Sequence, residues 1–302
     1  MEIRPAQEKD ITAIVELLKL SLGESLMPKS EALWRWKHID NPFGSSPVLL
    51  AFEGNQLVGV RAFMRWEWRQ DAKVFKAVRA VDTATHPQHQ GKGIFKSLTM
   101  QLVKQCQEEG VAFIYNTPNK SSLPGYLKMG WQEAGRLPIS MKLHGFRKSQ
   151  TGQVIKGWES LAGHPRLLPD AGTLTTAMSL DYLLWRYRDN PIASYEVISA
   201  AGDKPFIVVY RLKKGKGMTE IRITELLCAP AHAAEAIRCL QADVTGIKVI
   251  ALSGGQKGIA LRGFATMPVG PVVTVRNLNM PAFPESLTFG NWSPSLGDLE
   301  LF

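Results

Sequence analysis

The sequence predicts a mixed α/β protein built from two tandem domains, each with a mixed sheet. Three observations support this prediction. A strand, a glycine turn and a helix follow one another over residues 81–98. The segment 33–42, which ends in Asn41-Pro42, recurs as the segment 184–191, which ends in Asn190-Pro191. The chain has 302 residues, which is long enough for two domains of ordinary size.

The first half alternates between the two periods that distinguish helices from strands. Apolar residues recur at helical spacing in the segments assigned to helices, and they alternate with polar residues in most of the strands. The strands that follow Trp131 would complete the first domain near Leu143. In order, the predicted elements are a strand at 1–5, a helix at 11–20, a helix from 30 or 31 that stops at 41–42, strands at 48–52 and 57–68, the strand before the glycine turn, a helix at 94–109 and a strand at 111–116.

The second half repeats this order without the glycine turn. It has no glycine in the stretch 226–235, where the turn would stand, and no tyrosine in 256–264. We therefore predict a working domain at 1–145, a linker at 146–173 that is rich in polar residues, Gly and Pro, and a degenerate domain at 174–302 whose apolar tail packs across the domains. The predicted elements are strands at 195–200, 205–211 and 218–227, a helix at 232–240, a strand at 248–251 and a helix at 255–264.

The glycine turn predicts an anion site at the start of the following helix. Gly91 and Gly93 permit backbone angles and close approaches that a side chain would block. The free N–H groups of the first helical turn and the helix dipole favour a negative charge there, and Lys92 and Lys96 add positive charge. A dinucleotide fingerprint requires a third glycine where Lys96 stands, and the P-loop pattern does not fit either.

Two motifs resemble the Gcn5-related N-acetyltransferase (GNAT) superfamily. The run Gln90-Gly91-Lys92-Gly93-Ile94-Phe95 resembles its Gln/Arg-x-x-Gly-x-Gly/Ala loop, although Phe95 replaces the small last residue, and a second register starts at Gln88. Asn119, Tyr126 and Gly130 stand at the spacing of the family's later Asn…Tyr-x-x-x-Gly motif. The resemblance implies two tandem acyl-CoA N-acyltransferase folds, the first catalytic and the second degenerate.

The resemblance also implies roles for individual residues. Acetyl-CoA would be the co-substrate, with its pyrophosphate on the loop and its carbonyl near a strand amide at 83–85. Tyr126 would donate a proton to the leaving thiolate, unless it is an ordinary core tyrosine. The residues placed at the cofactor are Thr83, Ala84, Thr85, Gln90, Gly91, Lys92, Gly93, Ile94, Phe95, Lys96, Asn119 and Tyr126.

The base that removes the proton of the acceptor amine has three candidates. Asp82 and Glu67 are carboxylates on neighbouring strands, although strand carboxylates are more often solvated or paired with a cation. The chain also resembles the tandem aminoglycoside-acetylating enhanced-intracellular-survival proteins, in which the terminal carboxylate is thought to be the base. That resemblance implies a catalytic role for the carboxylate of Phe302.

Charge and composition narrow the class of partner. The net charge is +9, and residues 1–150 hold 21 basic and 14 acidic side chains, which gives +7 for the half with the glycine turn. No dense basic run or known nucleic-acid motif is present, so we expect attraction of anionic coenzyme A rather than nucleic acid. The six histidines have no ligand spacing, and we expect no metal.

The same composition predicts a cytoplasmic protein without an integral membrane segment. Three sparse cysteines favour reduced, buried thiols, and no apolar run is long enough to span a membrane. The substrate we predict is a small-molecule amine, such as an amino sugar, and a homodimer is compatible with the sequence. Transfer of a longer acyl group and a non-catalytic acyl-CoA sensor stay open as alternatives. Four tryptophans at positions 34, 36, 66 and 68 either line an acceptor groove or belong to the core.

Overall fold

The structure is a computed structural model with two mixed β-sheets and helices packed on their faces. It describes residues 1–24, 28–144, 154–163, 172–214, 219–244, 248–256, 258–280 and 288–299. The first half contains β1 Glu2–Pro5, α1 Ile11–Leu22, α2 Glu31–His38, β2 Val48–Glu53, β3 Gln56–Gln70, β4 Lys73–Thr85, α3 Ile94–Glu108, β5 Phe113–Asn116, α4 Leu123–Lys128, β6 Gln132–Arg136 and β7 Ile139–His144.

The second half repeats the order strand, strand, strand, helix, strand, as the sequence predicts. Its elements are β8 Ile155–Lys156, β9 Thr175–Thr176, α5 Leu180–Leu183 with a π-helical turn at Leu184–Arg188, β10 Glu196–Ala200, β11 Phe206–Lys214, β12 Thr219–Cys228, α6 Ala233–Asp243, β13 Lys248–Ser253, β14 Ala265–Met267, β15 Val272–Asn277 and α7 Leu296–Leu299.

The predicted helix at 255–264 is wrong. The described residues of this segment form turns and irregular chain and lead into β14. The segment is interrupted by glycines, and Gly258 and Gly263 adopt left-handed φ angles of 75° and 81°. Glycine is among the poorest helix formers, so the apolar spacing at 259–264 is not enough to form a helix here.

The two halves exchange one strand each. The first sheet has the order β1-β2-β3-β4-β5-β15-β6, with β9 also paired to β3, and the second has the order β14-β7-β13-β12-β11-β10-β8. Strand β15 therefore lies between β5 and β6, while β7 pairs with β13. The expectation that the strands after Trp131 complete the first domain is wrong for β7, because sequence periodicity identifies a strand but not its partner.

The first sheet is covered by helices on both faces. On one face, α3 buries Leu98 and Leu102 in an apolar cluster with Val78 of β4 and Ile114 of β5. On the other face, α1 and α2 contribute a separate cluster, which includes Val60 of β3 and Ala84 of β4. Strand β4 lies between these two helix layers, so side chains near its C-terminal end can face either layer.

The repeated segments meet each other at the junction between the two halves. Trp36 of the first copy and Trp185 of the second stand at equivalent positions, and their rings stack with centroids 5.0 Å apart. Each indole Nε1 donates to the main-chain carbonyl of the other residue, at 2.7 Å in both directions. This reciprocal pair gives the junction a local two-fold character.

The described segment 288–299 of the C-terminal tail contacts both halves. The main-chain carbonyls of Asp298 and Leu299 accept hydrogen bonds of 2.9 and 2.7 Å from the buried Arg79 of β4. Gly297 lies so close to Tyr187 that a Cβ atom would overlap its phenol oxygen. Since both halves contribute contacts, the tail connects the second half to the strand that carries the candidate site.

Candidate functional site

The glycine turn forms an open loop in front of α3. Gly91 and Gly93 have φ angles of 76° and 77°, which favour glycine, and Gly93 directly precedes the first helical residue, Ile94. A Cβ atom built on either glycine meets no atom within 4 Å. The turn therefore presents its backbone to open space, as an anion-binding loop must.

The start of α3 has the electrostatics of an anion site. The first turn of this 15-residue helix contains no acidic residue, and Lys92 and Lys96 are exposed beside it. Glu53 of β2 lies outside the helix, where it contacts Lys92 at 3.4 Å and His89 at 3.1 Å. The N–H groups at the helix start and the helix dipole then favour a phosphate in front of Gly93. Gln90 is exposed in the same loop.

Strands β4 and β5 separate next to this loop. Their parallel pairing covers only Ala77–Arg79 and Phe113–Tyr115, whereas β4 continues to Thr85 along β3. Beyond Arg79, β4 therefore has no strand on its β5 side among the described residues. The predicted cofactor residues Thr83, Ala84 and Thr85 lie on this separated end, which leaves a wedge between two central strands. A thioester can reach main-chain amides of β4 in such a wedge.

Tyr126 lies beside the wedge, buried on the α3 face of the sheet. Its helix, α4, starts at Leu123 with Pro124 in the first turn, where a proline is tolerated. Its phenol oxygen accepts a 2.7 Å hydrogen bond from Nη2 of Arg61, a fully buried residue that pairs with Thr83 across β3 and β4. The ring of Phe95 meets that of Tyr126 edge-on at 5.8 Å. Sequence reasoning missed Arg61, which stands in an otherwise apolar strand.

Asn119 initiates the turn that leads into α4. Its side-chain oxygen accepts hydrogen bonds from the main-chain N–H groups of Ser121 and Ser122, at 3.1 and 2.9 Å. Asn119 is exposed, so this local role leaves its amide nitrogen accessible. Its predicted contact with the cofactor stays a prediction.

Asp82 lies on the opposite face of the sheet, towards α2. It is the extra residue of a β-bulge, with an unusual φ of 39°. Its carboxylate contacts Nζ of Lys37 at 2.7 Å and Nε2 of His38 at 3.0 Å, and both partners are buried. Burial would raise the pKa of Asp82, but the charge of Lys37 and the hydrogen bond with His38 outweigh it and lower the pKa. Burial also lowers the pKa of His38, and Asp82 opposes this only in part.

The other two candidates for the base, Glu67 and the carboxylate of Phe302, are not found beside Tyr126 in the described part of the structure. Glu67 is six residues from Arg61 along β3, about 20 Å, and pairs with Lys76 before the contact between β4 and β5 begins. The structure therefore does not bring Glu67 to Tyr126. Phe302 lies outside the described residues, so its predicted role stays a prediction.

The tryptophans at 34, 36, 66 and 68 belong to the core. All four are at most 5% exposed, and Trp66 donates its indole N–H to Thr176 at 2.8 Å. They are therefore core residues, and of the four only Trp36 also lines the cavity of about 770 Å³ that Trp185 borders. Among the described residues no group of three or more His, Cys, Asp or Glu is placed to hold a metal ion. In the same part of the chain no helix has the length and apolar character needed to cross a membrane.

Comparison with known proteins finds a match in the first half. Residues 2–134 match the sequence model of the acetyltransferase (GNAT) domain. No curated protein matches the chain in sequence.

Solved structures resemble the chain over both sheets. One is a conserved protein of unknown function from Enterococcus faecalis V583, with a TM-score of 0.69 and 11% identity, covering 92% of this chain and 73% of its own. Another is a GCN5-related N-acetyltransferase from Anabaena variabilis, with a TM-score of 0.67, 12% identity and the same coverages. Eis1 from Mycobacterium abscessus has a TM-score of 0.62 and 14% identity over 92% of this chain and 74% of its own. At these identities the likeness is one of fold, and it confirms the predicted mixed α/β architecture.

Proposed function

We propose that the chain moves an acetyl group from acetyl-CoA to the amine of a small molecule. The premise is that residues 2–134 belong to the GNAT acetyltransferase family and that the chain is an acyltransferase. The observation that carries this proposal is the wedge between β4 and β5, with the glycine turn at its mouth and Tyr126 beside it. Nothing else described in the chain combines an anion-binding helix start, free strand amides and a buried phenol.

The residues present fit acetyl-CoA. The backbone of the turn at Gly91 and Gly93 would hold the pyrophosphate, because both glycines face open space and no acid stands in the first turn of α3. The end of β4 would receive the thioester carbonyl, and Tyr126 would face the sulfur. When bound, the cofactor supplies the activated acetyl group.

The acceptor amine must arrive with a free electron pair. An ordinary amine is protonated near neutral pH, so a base or a water chain has to remove the proton before attack. Asp82 is a carboxylate on the α2 side of β4, but its lowered pKa makes it a weak base by itself. We propose that Asp82 orients polar groups and water around the amine. The small-molecule class of the acceptor and its nature as an amino sugar belong to this proposal.

A test measures release of the CoA thiol with a panel of amines. The wild type should turn over at least one amine, and Gly93→Glu should abolish turnover, because an acidic side chain would occupy the phosphate position with like charge. Gly110→Glu is the matched control: Gly110 has a similar φ of 76°, has open space around it and stands at the far end of α3. A wild type that turns over no amine, or a Gly93→Glu variant as active as the control, would contradict the proposal.

A second candidate function is transfer of a longer acyl chain. A cavity of about 670 Å³ lies between the halves, with Thr117 just after β5 on its wall. Its lining is mostly aliphatic, from Leu137, Ile139, Met141, Val249, Ala251, Val269, Leu296 and Leu299. Such a lining suits an alkyl chain better than a sugar, since sugars are bound by aromatic rings and hydrogen bonds. A series of acyl-CoA donors from two to sixteen carbons would favour this candidate if kcat/KM rose with chain length, and acetyl transfer if it fell.

A further inference from the structure

Arg61 is buried without an anionic partner. The residue is 0% exposed, and among the described residues no carboxylate pairs with its guanidinium. Its Nε and Nη1 atoms have no hydrogen-bond partner, and only Nη2 is used, at Tyr126. An uncompensated buried cation is costly, so a merely structural position would favour an apolar residue here.

Aromatic rings surround the guanidinium and hold it in place. Its central carbon lies 5.0 Å from the ring centroid of Phe63, 5.4 Å from that of Phe95 and 5.5 Å from that of Tyr126. Such cation–π contacts compensate part of the lost hydration. Phe95 replaces the small residue expected at the end of the phosphate loop, and its ring forms one side of the pocket around the Arg61 guanidinium.

The direction of the hydrogen bond determines what Tyr126 can still do. A guanidinium has donors only, so the phenol oxygen of Tyr126 must be the acceptor. The phenolic hydrogen is therefore not used in this bond, and no described residue accepts it. Arg61 thus leaves the O–H free to donate to another group, and its charge favours the phenolate that forms after donation.

We propose that Arg61 is a positioning residue that holds Tyr126 by its oxygen and points the phenolic hydrogen at the leaving sulfur. This inference rests on the proposed function. In the transfer step, the amine nitrogen bonds to the thioester carbon and loses one proton to solvent, and the carbon–sulfur bond breaks. The sulfur takes the proton of Tyr126 to become the CoA thiol. The phenolate, balanced by Arg61, then regains a proton from solvent.

Kinetic variants test this role on the amine that the wild type acetylates fastest. Arg61→Met removes the charge and the donors but keeps the length of the side chain. It should lower kcat about 100-fold, as loss of general acid catalysis does, and change KM less than threefold. Tyr126→Phe should have a similar effect, and the double variant should be no slower than Tyr126→Phe alone. Arg61→Lys should recover part of kcat, and the control Arg65→Met, on the same strand, should keep the wild-type kcat.

The outcomes separate the inference from the proposed function. An inactive wild type would remove the proposed function itself. An active wild type whose Arg61→Met variant keeps kcat within threefold would overturn the role of Arg61, and so would a double variant whose losses multiply. If Arg61→Met does not fold, Arg61→Gln takes its place and the same limits apply. Calorimetric binding of acetyl-CoA should stay within threefold of the wild type in every folded variant.

Discussion

The two halves of the molecule share an order of elements but differ at the helix that follows the central strand. In the first half, α3 begins after a glycine turn, has no acid in its first turn and faces open space. In the second half, α6 begins after Pro230–His232, a turn without glycine, and carries Glu235 in its first turn. An acid at this position opposes a bound phosphate, so we predict an anion site in the first half only.

The carboxylates in the two central strands, Asp82 and Glu225, also differ in their surroundings and in the direction of their pKa shift. Asp82 of β4 is ionised between Lys37 and His38, whereas Glu225 of β12 is buried, accepts hydrogen bonds from Tyr187 and Ser295, and has one oxygen without a partner. Burial and the nearby Asp298 raise the pKa of Glu225 well above its ordinary value. The carboxylate of the first half is therefore held by two cationic side chains, whereas that of the second half contacts Ser295 of the tail.

The largest expected effect is at Asp82. Asp82→Asn leaves Lys37 buried without its counter-charge, so the free energy of unfolding should fall by about 3–5 kcal/mol at pH 7 in a urea titration. Glu225→Gln is the matched change in the second half. Because burial and Asp298 raise the pKa of Glu225 and so favour its uncharged form, that variant should lose less than about 1 kcal/mol. Equal losses in the two variants would contradict the comparison.

A smaller effect is expected where the tail docks on the second half. A methyl group at Gly297 would meet Tyr187 and Glu225, so Gly297→Ala should lower the free energy of unfolding by about 1–3 kcal/mol. Gly290→Ala is the control, because its Cβ meets no atom within 4 Å. A fully stable Gly297→Ala variant would show that the tail is not held against Tyr187.

At the junction between the repeats, we expect a substitution to lower the free energy of unfolding by about 1 kcal/mol. Trp185→Phe removes the indole donor to Trp36, one of the two reciprocal hydrogen bonds. Trp292→Phe is a matched control, since Trp292 is also buried but its indole nitrogen has no hydrogen-bond partner. Thermal unfolding should therefore show a larger decrease for Trp185→Phe than for Trp292→Phe, and the reverse order would argue against the reciprocal pair.

The smallest effect is a difference in pH dependence between the halves. Asp82 has a lowered pKa, so its stabilisation is present above the unfolded value of 3.8 and is lost as the pH falls. Glu225 has a raised pKa, so the wild type loses stability as the pH rises above the unfolded value of 4.5. The stability of Glu225→Gln relative to the wild type should therefore increase from pH 5 to pH 8 in urea titrations. A difference that does not change with pH would contradict the raised pKa of Glu225.

Most of the fold follows from local sequence signals, but the site follows only in part. The glycine turn, α3 and the repeat around Trp36 and Trp185 are local, so periodicity and turn residues predict them. The exchange of β7 and β15 depends on which strands meet, and no local pattern contains that information. Arg61 was not predicted because its role depends on a hydrogen bond to Tyr126, which is 65 residues away in the sequence. A single polar residue in an apolar strand does not indicate such a contact.

The most direct test of the comparison is calorimetric titration of the whole chain with acetyl-CoA. One binding site per chain should be found, and it should be lost in Gly93→Glu and kept in Gly110→Glu. Two sites would show that the second half also binds the cofactor, and binding that survives in Gly93→Glu would place the cofactor away from α3. Either result would contradict the account of one open and one closed helix start.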